Sequence, residues 1–404
     1  MKKLLVITAI FFIAQDLVAQ KFEGLALTPP MGWNSWNTFQ ANIDEKMVME
    51  IADDMIKSGM KNAGYNYLVL DDGWMAKERD ADGNLVADPI KFPKGMKHVS
   101  DYVHSKGLKF GLYNCAGTKT CGGYPGTRGY EYNDARWYAK MGVDYLKYDW
   151  CNTEGITAKE AYKTMSNAIK VAGRPMVFSL CEWGDNQPWE WAKDVGHLWR
   201  VSGDISNCFD CIEDHGTWKS WGVTYIVDMR KNIRQYSGPG HWNDFDMMEV
   251  GHHGLNQSEN RAHFSLWCML ASPLIAGNDI RTMDKETQKI LTNKELISVN
   301  QDSLGVQAYL YQQQDSVDTW IKPLMNNEVA VCFLNRSVNA KQLSFDWSKN
   351  NLTDTVSKMQ IDFSKATYTI QNLWDKKAAG NTAKAFAATV LPHDVVVLRL
   401  RKIK

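Results

Sequence analysis

Residues 145–182 read YLKYDWCNTEGITAKEAYKTMSNAIKVAGRPMVFSLCE. They open on a short apolar run, Tyr145–Tyr148. A helical stripe follows, with Ala158, Ala161, Met165, Ala168, Ile169 and Ala172 at three- and four-residue spacing ahead of Gly173. A second apolar run, Met176–Leu180, closes the stretch. A stripe ended by glycine is an amphipathic helix with its C-terminal stop. Strand, helix, strand in this order make a right-handed βαβ unit and therefore a parallel sheet. The same rhythm extends in both directions. Tyr67–Leu70, Leu108–Tyr113 and Leu198–Val201 read as strands, and residues 43–58 carry Met47, Val48, Ile51, Ala52, Met55 and Ile56 on one helical face before Gly59. About eight such units fit between residues 25 and 305, which favours a closed (β/α)8 barrel over an open sheet.

From Val306 to Lys404 the texture changes to short β-rich pieces: Gln307–Gln312, Thr319–Lys322, Val329–Leu334, Gln342–Phe345 and Val395–Leu400. Polar, Asn-containing connections separate them, and no helical stripe of comparable quality occurs. This is the pattern of a C-terminal antiparallel β-sandwich of roughly 100 residues. With no long Pro/Gly/Ser linker before it, the module is expected to pack directly on the barrel.

The chain balances 46 Lys+Arg against 46 Asp+Glu, which argues against a partner held by charge, whether nucleic acid or an anionic membrane. With 44% hydrophobic and 23% charged residues it is neither disordered nor fibrous. Residues 1–19 resemble a secretory signal peptide: Lys2 and Lys3, an apolar run from Leu4 to Ala14, then Leu17-Val18-Ala19. A secreted or periplasmic protein with no membrane span is expected. Export places eight Cys in an oxidising compartment. Cys268 and Cys332 lie in apolar runs and read as buried thiols. Cys208 and Cys211 read as a local disulfide rather than a zinc or redox pair, because no second pair with zinc-site spacing exists.

Functional groups in a barrel belong at the C-terminal ends of its strands. Acidic residues stand there: Asp71-Asp72 after Tyr67–Leu70, Asp149 after Tyr145–Tyr148, Glu182 after Cys181, and Asp204 after Leu198–Gly203. One acid after a strand is commonly a helix cap, but the repetition points to a cluster. Side chains alternate across a strand, so Tyr145, Lys147 and Asp149 share a face opposite Leu146 and Tyr148. Arg200, Ser202 and Asp204 share a parity opposite Val201. Two strands thus each carry a cation and a carboxylate to one rim, where the cation favours the charged carboxylate. The competing reading is a pair of structural salt bridges in the lumen, disfavoured by the cost of burying ions. Two carboxylates beside aromatic residues are the apparatus of glycoside hydrolysis, and 16 Trp with 16 Tyr supply surfaces on which sugar rings stack.

Pro30–Trp36 (PMGWNSW), Leu70–Trp74 (LDDGW), Tyr145–Asp149 (YLKYD) and Gly238–Asp244 (GPGHWND), in this order, closely resemble glycoside hydrolase family 27, the α-galactosidases. The resemblance runs from about Leu25 to Asn300. It implies a retaining enzyme on a TIM barrel followed by a β-sandwich, without metal or organic cofactor. By motif, Asp149 would be the nucleophile and Asp204 the general acid/base. Asp71 and Asp72 would bind the galactose 4- and 6-hydroxyls, Lys147 and Arg200 further hydroxyls, and Trp36 and Tyr113 would line the sugar pocket. Glu182, in Cys181-Glu182-Trp183, resembles the galactose-type loop that fills the space acetamido-sugar enzymes leave open. The family bridges the positions of Cys121 and Cys151. Some relatives bridge the position of Cys181 to one held here by Gly196, so Cys181 is left either paired with Cys115, Cys208 or Cys211, or free. The alternatives are an α-N-acetylgalactosaminidase or β-L-arabinopyranosidase of the same family, and a non-catalytic sugar-binding barrel, which would have no need of both acids. A metal-dependent hydrolase is disfavoured because the nine His include no H-x-H pair. The expected partner is a small or polymeric galactoside.

Overall fold

The computed structural model describes residues 21–403; the expected signal peptide, residues 1–19, lies outside them. Eight parallel strands form a curled sheet: β1 (Met31–Asn34), β2 (Tyr67–Leu70), β3 (Lys109–Cys115), β4 (Tyr145–Asp149), β5 (Val177–Cys181), β6 (Leu198–Arg200), β7 (Trp242–Asp244) and β8 (Leu274–Ala276). Their order is β8-β1-β2-β3-β4-β5-β6-β7. The chain beyond β7 closes the ring, where Met248 bridges Ala276 and its N–H donates to the Ile275 carbonyl at 2.7 Å. This is the TIM-barrel architecture expected from the βα rhythm.

Strand parity divides the core. Tyr67, Val69, Tyr145, Val177, Leu198 and Trp242 pack together inside the barrel. Leu68, Leu70, Leu146, Tyr148, Phe178, Leu180, Trp199 and Val201 belong to the layer between sheet and helices. Helix α1 (Glu45–Lys57) is set by Asp44, which caps it by accepting from the Met47 N–H at 2.8 Å. It buries Met47, Val48, Ile51, Ala52 and Met55, each large side chain contributing ~1.5–3 kcal/mol of transfer free energy. Helix α2 (Ala158–Ala172) ends where Gly173 takes φ 79°, a conformation open to glycine at little cost.

The C-terminal module has a six-stranded antiparallel sheet of β9 (Tyr309–Gln314), β10 (Val317–Pro323), β11 (Val329–Asn335), β12 (Tyr368–Asn372), β13 (Lys377–Asn381) and β14 (Val395–Lys402). The order is β9-β10-β11-β14-β12-β13. Two short pairs, Lys341–Phe345 with Phe386–Val390 and Leu352–Thr353 with Gln360–Ile361, complete the module. Asp315 and Ser316, both at positive φ, make the tight β9–β10 turn. Alternation again assigns the faces. Ile321, Val331 and Phe333 join Phe345, Trp347 and Phe386 inside the module, whereas Trp320, Cys332 and Leu334 join the barrel's core. The central sheet is therefore covered on both faces, and the module packs directly on the barrel.

Candidate active site

The C-terminal ends of the barrel strands open into one cavity of about 350 Å³, a size suited to a small ligand. Asp149, the last residue of β4, stands in its lining and is only 6% exposed. Its two oxygens are held separately: the Trp150 N–H donates to Oδ1 at 2.8 Å and the buried Tyr113 hydroxyl to Oδ2 at 3.0 Å. Burial pushes the Asp149 carboxyl up to about 7, the Lys147 ammonium pulls it down, and Asp204 pushes it up again. The cation therefore does not outweigh desolvation.

The Lys147 ammonium makes its ion pair with Asp71, at 2.8 Å from Oδ2, and not with Asp149. Lys147 thus favours the charged form of Asp149 from beside it without bonding to it, because register sets the end of β2 level with Lys147 on the far side of β3 while Asp149 lies two residues further up Lys147's own strand. Asn34, at the end of β1, donates to the same Asp71 oxygen at 2.7 Å. Burial opposes the Lys147 charge, yet Asp71 and Asp149 beside it hold the ammonium firmly protonated. Asp72 accepts from the Gly122 N–H at 2.7 Å and the Gly73 N–H at 2.8 Å. A Cβ at Gly122 would come within 2.9 Å of the Asp72 carboxylate, so glycine there permits the close approach of the backbone. Trp36 stands in the wall beside this group.

On the opposite side, Arg200 ends β6 and is fully enclosed. Its guanidinium meets Asp204 at 3.0 Å and Asp246 at 2.8 Å. Burial opposes its charge, and Asp246 and Asp204 restore it. The Asp204 side chain is 44% exposed, so it stands at the mouth while Asp149 lies deep. Asp246 also accepts from the Ile205 N–H at 2.8 Å, fixing the backbone next to Asp204. It does so from a left-handed conformation, φ 81°, uncommon outside glycine though more open to aspartate than to most residues. Sequence reasoning did not single out Asp246, though the signal was present: Trp242, Asp244 and Asp246 share one parity, with Asn243 and Phe245 on the other.

Trp36, Asp71, Asp72, Tyr113, Lys147, Asp149, Arg200 and Asp204 all line the same cavity. Glu182 does not. Parity turns it behind the wall, where it is buried, accepts from the Asn186 N–H at 2.6 Å and its amide at 2.7 Å, and keeps Oε1 unpartnered. Burial pushes its carboxyl up to about 7. The neighbouring Trp183 lines the cavity in its place. A hairpin of Ile212–Asp214 with Lys219–Trp221, unforeseen in the sequence, adds Glu213, His215 and Trp218 to the rim. Disulfides join Cys121 to Cys151 and Cys208 to Cys211, and Cys115, Cys181, Cys268 and Cys332 are buried free thiols. Among the described residues, one group of possible metal ligands gathers within 4.8 Å: Asp149, Cys121 and Cys151. The two sulfurs are bonded to each other, which leaves a single carboxylate and no ligand set for an ion.

The arrangement places an enclosed carboxylate and a solvent-facing one around a cavity lined by charged groups and indole rings. Residues 28–302 match the family model described as alpha galactosidase A, and residues 314–400 the alpha galactosidase C-terminal beta sandwich domain. Alpha-galactosidase A of Cellvibrio japonicus is 55% identical over 382 residues, covering 95% of this chain and 94% of that protein. Alpha-galactosidase I of Mortierella vinacea superposes with a TM-score of 0.88 at 38% identity, covering 93% and 98% of the two chains. The Saccharomyces cerevisiae α-galactosidase solved with raffinose gives 0.86 at 31%, covering 94% and 99%. The cavity, the fold and these likenesses agree, and the chain belongs to the α-galactosidase family of glycoside hydrolases, family 27.

Proposed function

We propose that this protein is a retaining α-galactosidase that removes terminal, non-reducing α-D-galactosyl residues from oligosaccharides or polysaccharides. The observation that carries the reading is the convergence of Asp149 and Asp204, from separate strands, on one cavity. In the first step the Asp149 carboxylate attacks the anomeric carbon while Asp204 gives its proton to the departing glycosidic oxygen; the C–O bond breaks and a galactosyl ester forms on Asp149. In the second, Asp204 takes a proton from water, the water oxygen attacks the anomeric carbon, and the ester bond to Asp149 breaks. Two inversions restore the α configuration. Tyr113 and the Trp150 N–H keep both Asp149 oxygens oriented between the steps. Asp71 and Asp72, their carboxylates fixed by Lys147, Asn34 and the Gly122 amide, accept from the galactose 4- and 6-hydroxyls.

No helix of the described residues is long and apolar enough to cross a membrane. The signal-like residues 1–19 and two disulfides support export, with a barrel over 25–305 and a sandwich over 306–404 in the mature chain. Proton NMR of an α-galactoside digest tests the activity: α-galactose is expected as the first product, and β-galactose first would overturn the double displacement. Comparison with α-N-acetylgalactosaminide and β-L-arabinopyranoside should show a clear preference for the galactoside.

A further inference from the structure

We propose that the hairpin at residues 212–221 carries a second sugar subsite, in which the Trp218 indole receives the ring attached to the leaving oxygen; this rests on the activity proposed above. Trp218 is 51% exposed, a large apolar face left in water at the rim of the cavity that holds Asp149 and Asp204. Its ring stacks on His215, with centroids 4.0 Å apart and planes 21° from parallel, so one face is backed and the other is open.

The platform is braced from below. His215 Nε2 and the Ser220 hydroxyl share a hydrogen bond of 2.8 Å, Ser220 reaches Ser206 at 2.6 Å, and Ser206 donates to Glu213 at 2.9 Å. The Cys208–Cys211 disulfide lies at the hairpin's base, where the Gly222 N–H donates to the Cys211 carbonyl at 2.8 Å. At its end the hairpin is tied to the acid residue itself: the Trp221 N–H donates to the Asp204 carbonyl at 3.1 Å, and the Ser206 N–H to the Trp221 carbonyl at 2.8 Å. Asp204 faces the bridging oxygen, so a surface fixed to its backbone stands on the leaving-group side. The C–H face of a pyranose covers an indole well, and a rigid platform loses little freedom when it is covered. Glu213 and the His215 Nδ1, its Nε2–H being donated to Ser220, offer acceptors at the same rim to that ring's hydroxyls.

The subsite selects substrates with a sugar leaving group over those with a small one. The test compares kcat/KM for an α-1,6-linked galactosyl-glucose disaccharide with that for α-galactosyl fluoride, in the full-length protein. Trp218→Ala should lower the disaccharide value about tenfold, mainly through KM, and the fluoride value several-fold less. Trp218→Phe, which keeps a flat face, should recover most of the loss. An equal fall on both substrates, or no fall on the disaccharide, would overturn the subsite while leaving the activity intact. A wild-type protein that turns over neither substrate would overturn the activity and the subsite together.

Discussion

Replacing Tyr113 with Phe removes one hydroxyl from the floor of the site and little else. That hydroxyl donates to Asp149 Oδ2 at 3.0 Å from a fully buried ring, so water cannot easily take its place. A hydrogen bond to a buried charged group is worth ~1.5–3 kcal/mol, and 1.36 kcal/mol corresponds to one pKa unit, so the ionised carboxylate should become harder to form by about one to two units. The sign follows from the direction of donation: the bond favours the charged form, and its loss raises the pKa from a starting point of about 7. The acidic limb of kcat/KM, which reports the free enzyme, should therefore move to higher pH by the same amount. Below the limb this is a loss of about ten- to hundredfold, and above it the variant should approach the wild type. The assay is a pH–rate profile on an activated aryl α-galactoside, for which proton donation matters least. A limb that stays in place or moves down would refute the assignment of Tyr113 as the donor that keeps Asp149 ionised.

Asp204→Ala should lower kcat/KM on substrates with poor, sugar leaving groups by about 10²–10⁴, and far less on activated aryl glycosides; equal losses on both would remove Asp204 from the acid role. His197 reports on the fold's response to acid. Burial pushes it down to about 4, and its Nδ1 accepts from the Phe178 N–H at 2.9 Å, a bond that a protonated ring cannot keep. The unfolded chain takes up a proton near pH 6.5 that the native state refuses until about 4, so stability is lost as pH falls through that window, by ~1.4 kcal/mol per unit from this residue. His197→Gln should flatten the decline of the urea midpoint between pH 6.5 and 4 relative to wild type; parallel declines would contradict it.

The parts of this molecule that were legible in the sequence are those written in local periodicity. The stripe ending at Gly173 gave helix α2 with its observed limits, and the alternation Tyr145-Lys147-Asp149 against Leu146-Tyr148 separated lumen from wall correctly. Extending the same parity past β7 reaches Asp246, and applying it to Val177–Cys181 turns Glu182 away from the cavity. What local pattern cannot express is which strand end meets which. Lys147 finds Asp71 because β2 and β4 flank β3, whose Tyr113 stands level with both, a fact of strand order and register. In the sandwich, β10 and β11 were recognised from the β-rich pieces Thr319–Lys322 and Val329–Leu334, whereas Lys377–Asn381, reading KAAGN, has no alternation to mark it and is held by pairing with β12. The rim hairpin was missed for a similar reason: its three-residue strands gain their stability from the disulfide and from the ties to Asp204.

The central claim is that Asp149 becomes bonded to the sugar. Incubating the protein with a fluorinated galactosyl inhibitor, digesting it and sequencing the modified peptide by mass spectrometry tests this directly. The account predicts one added galactosyl group on the carboxylate of Asp149; a label on Asp204, or on any peptide lacking Asp149, would contradict it.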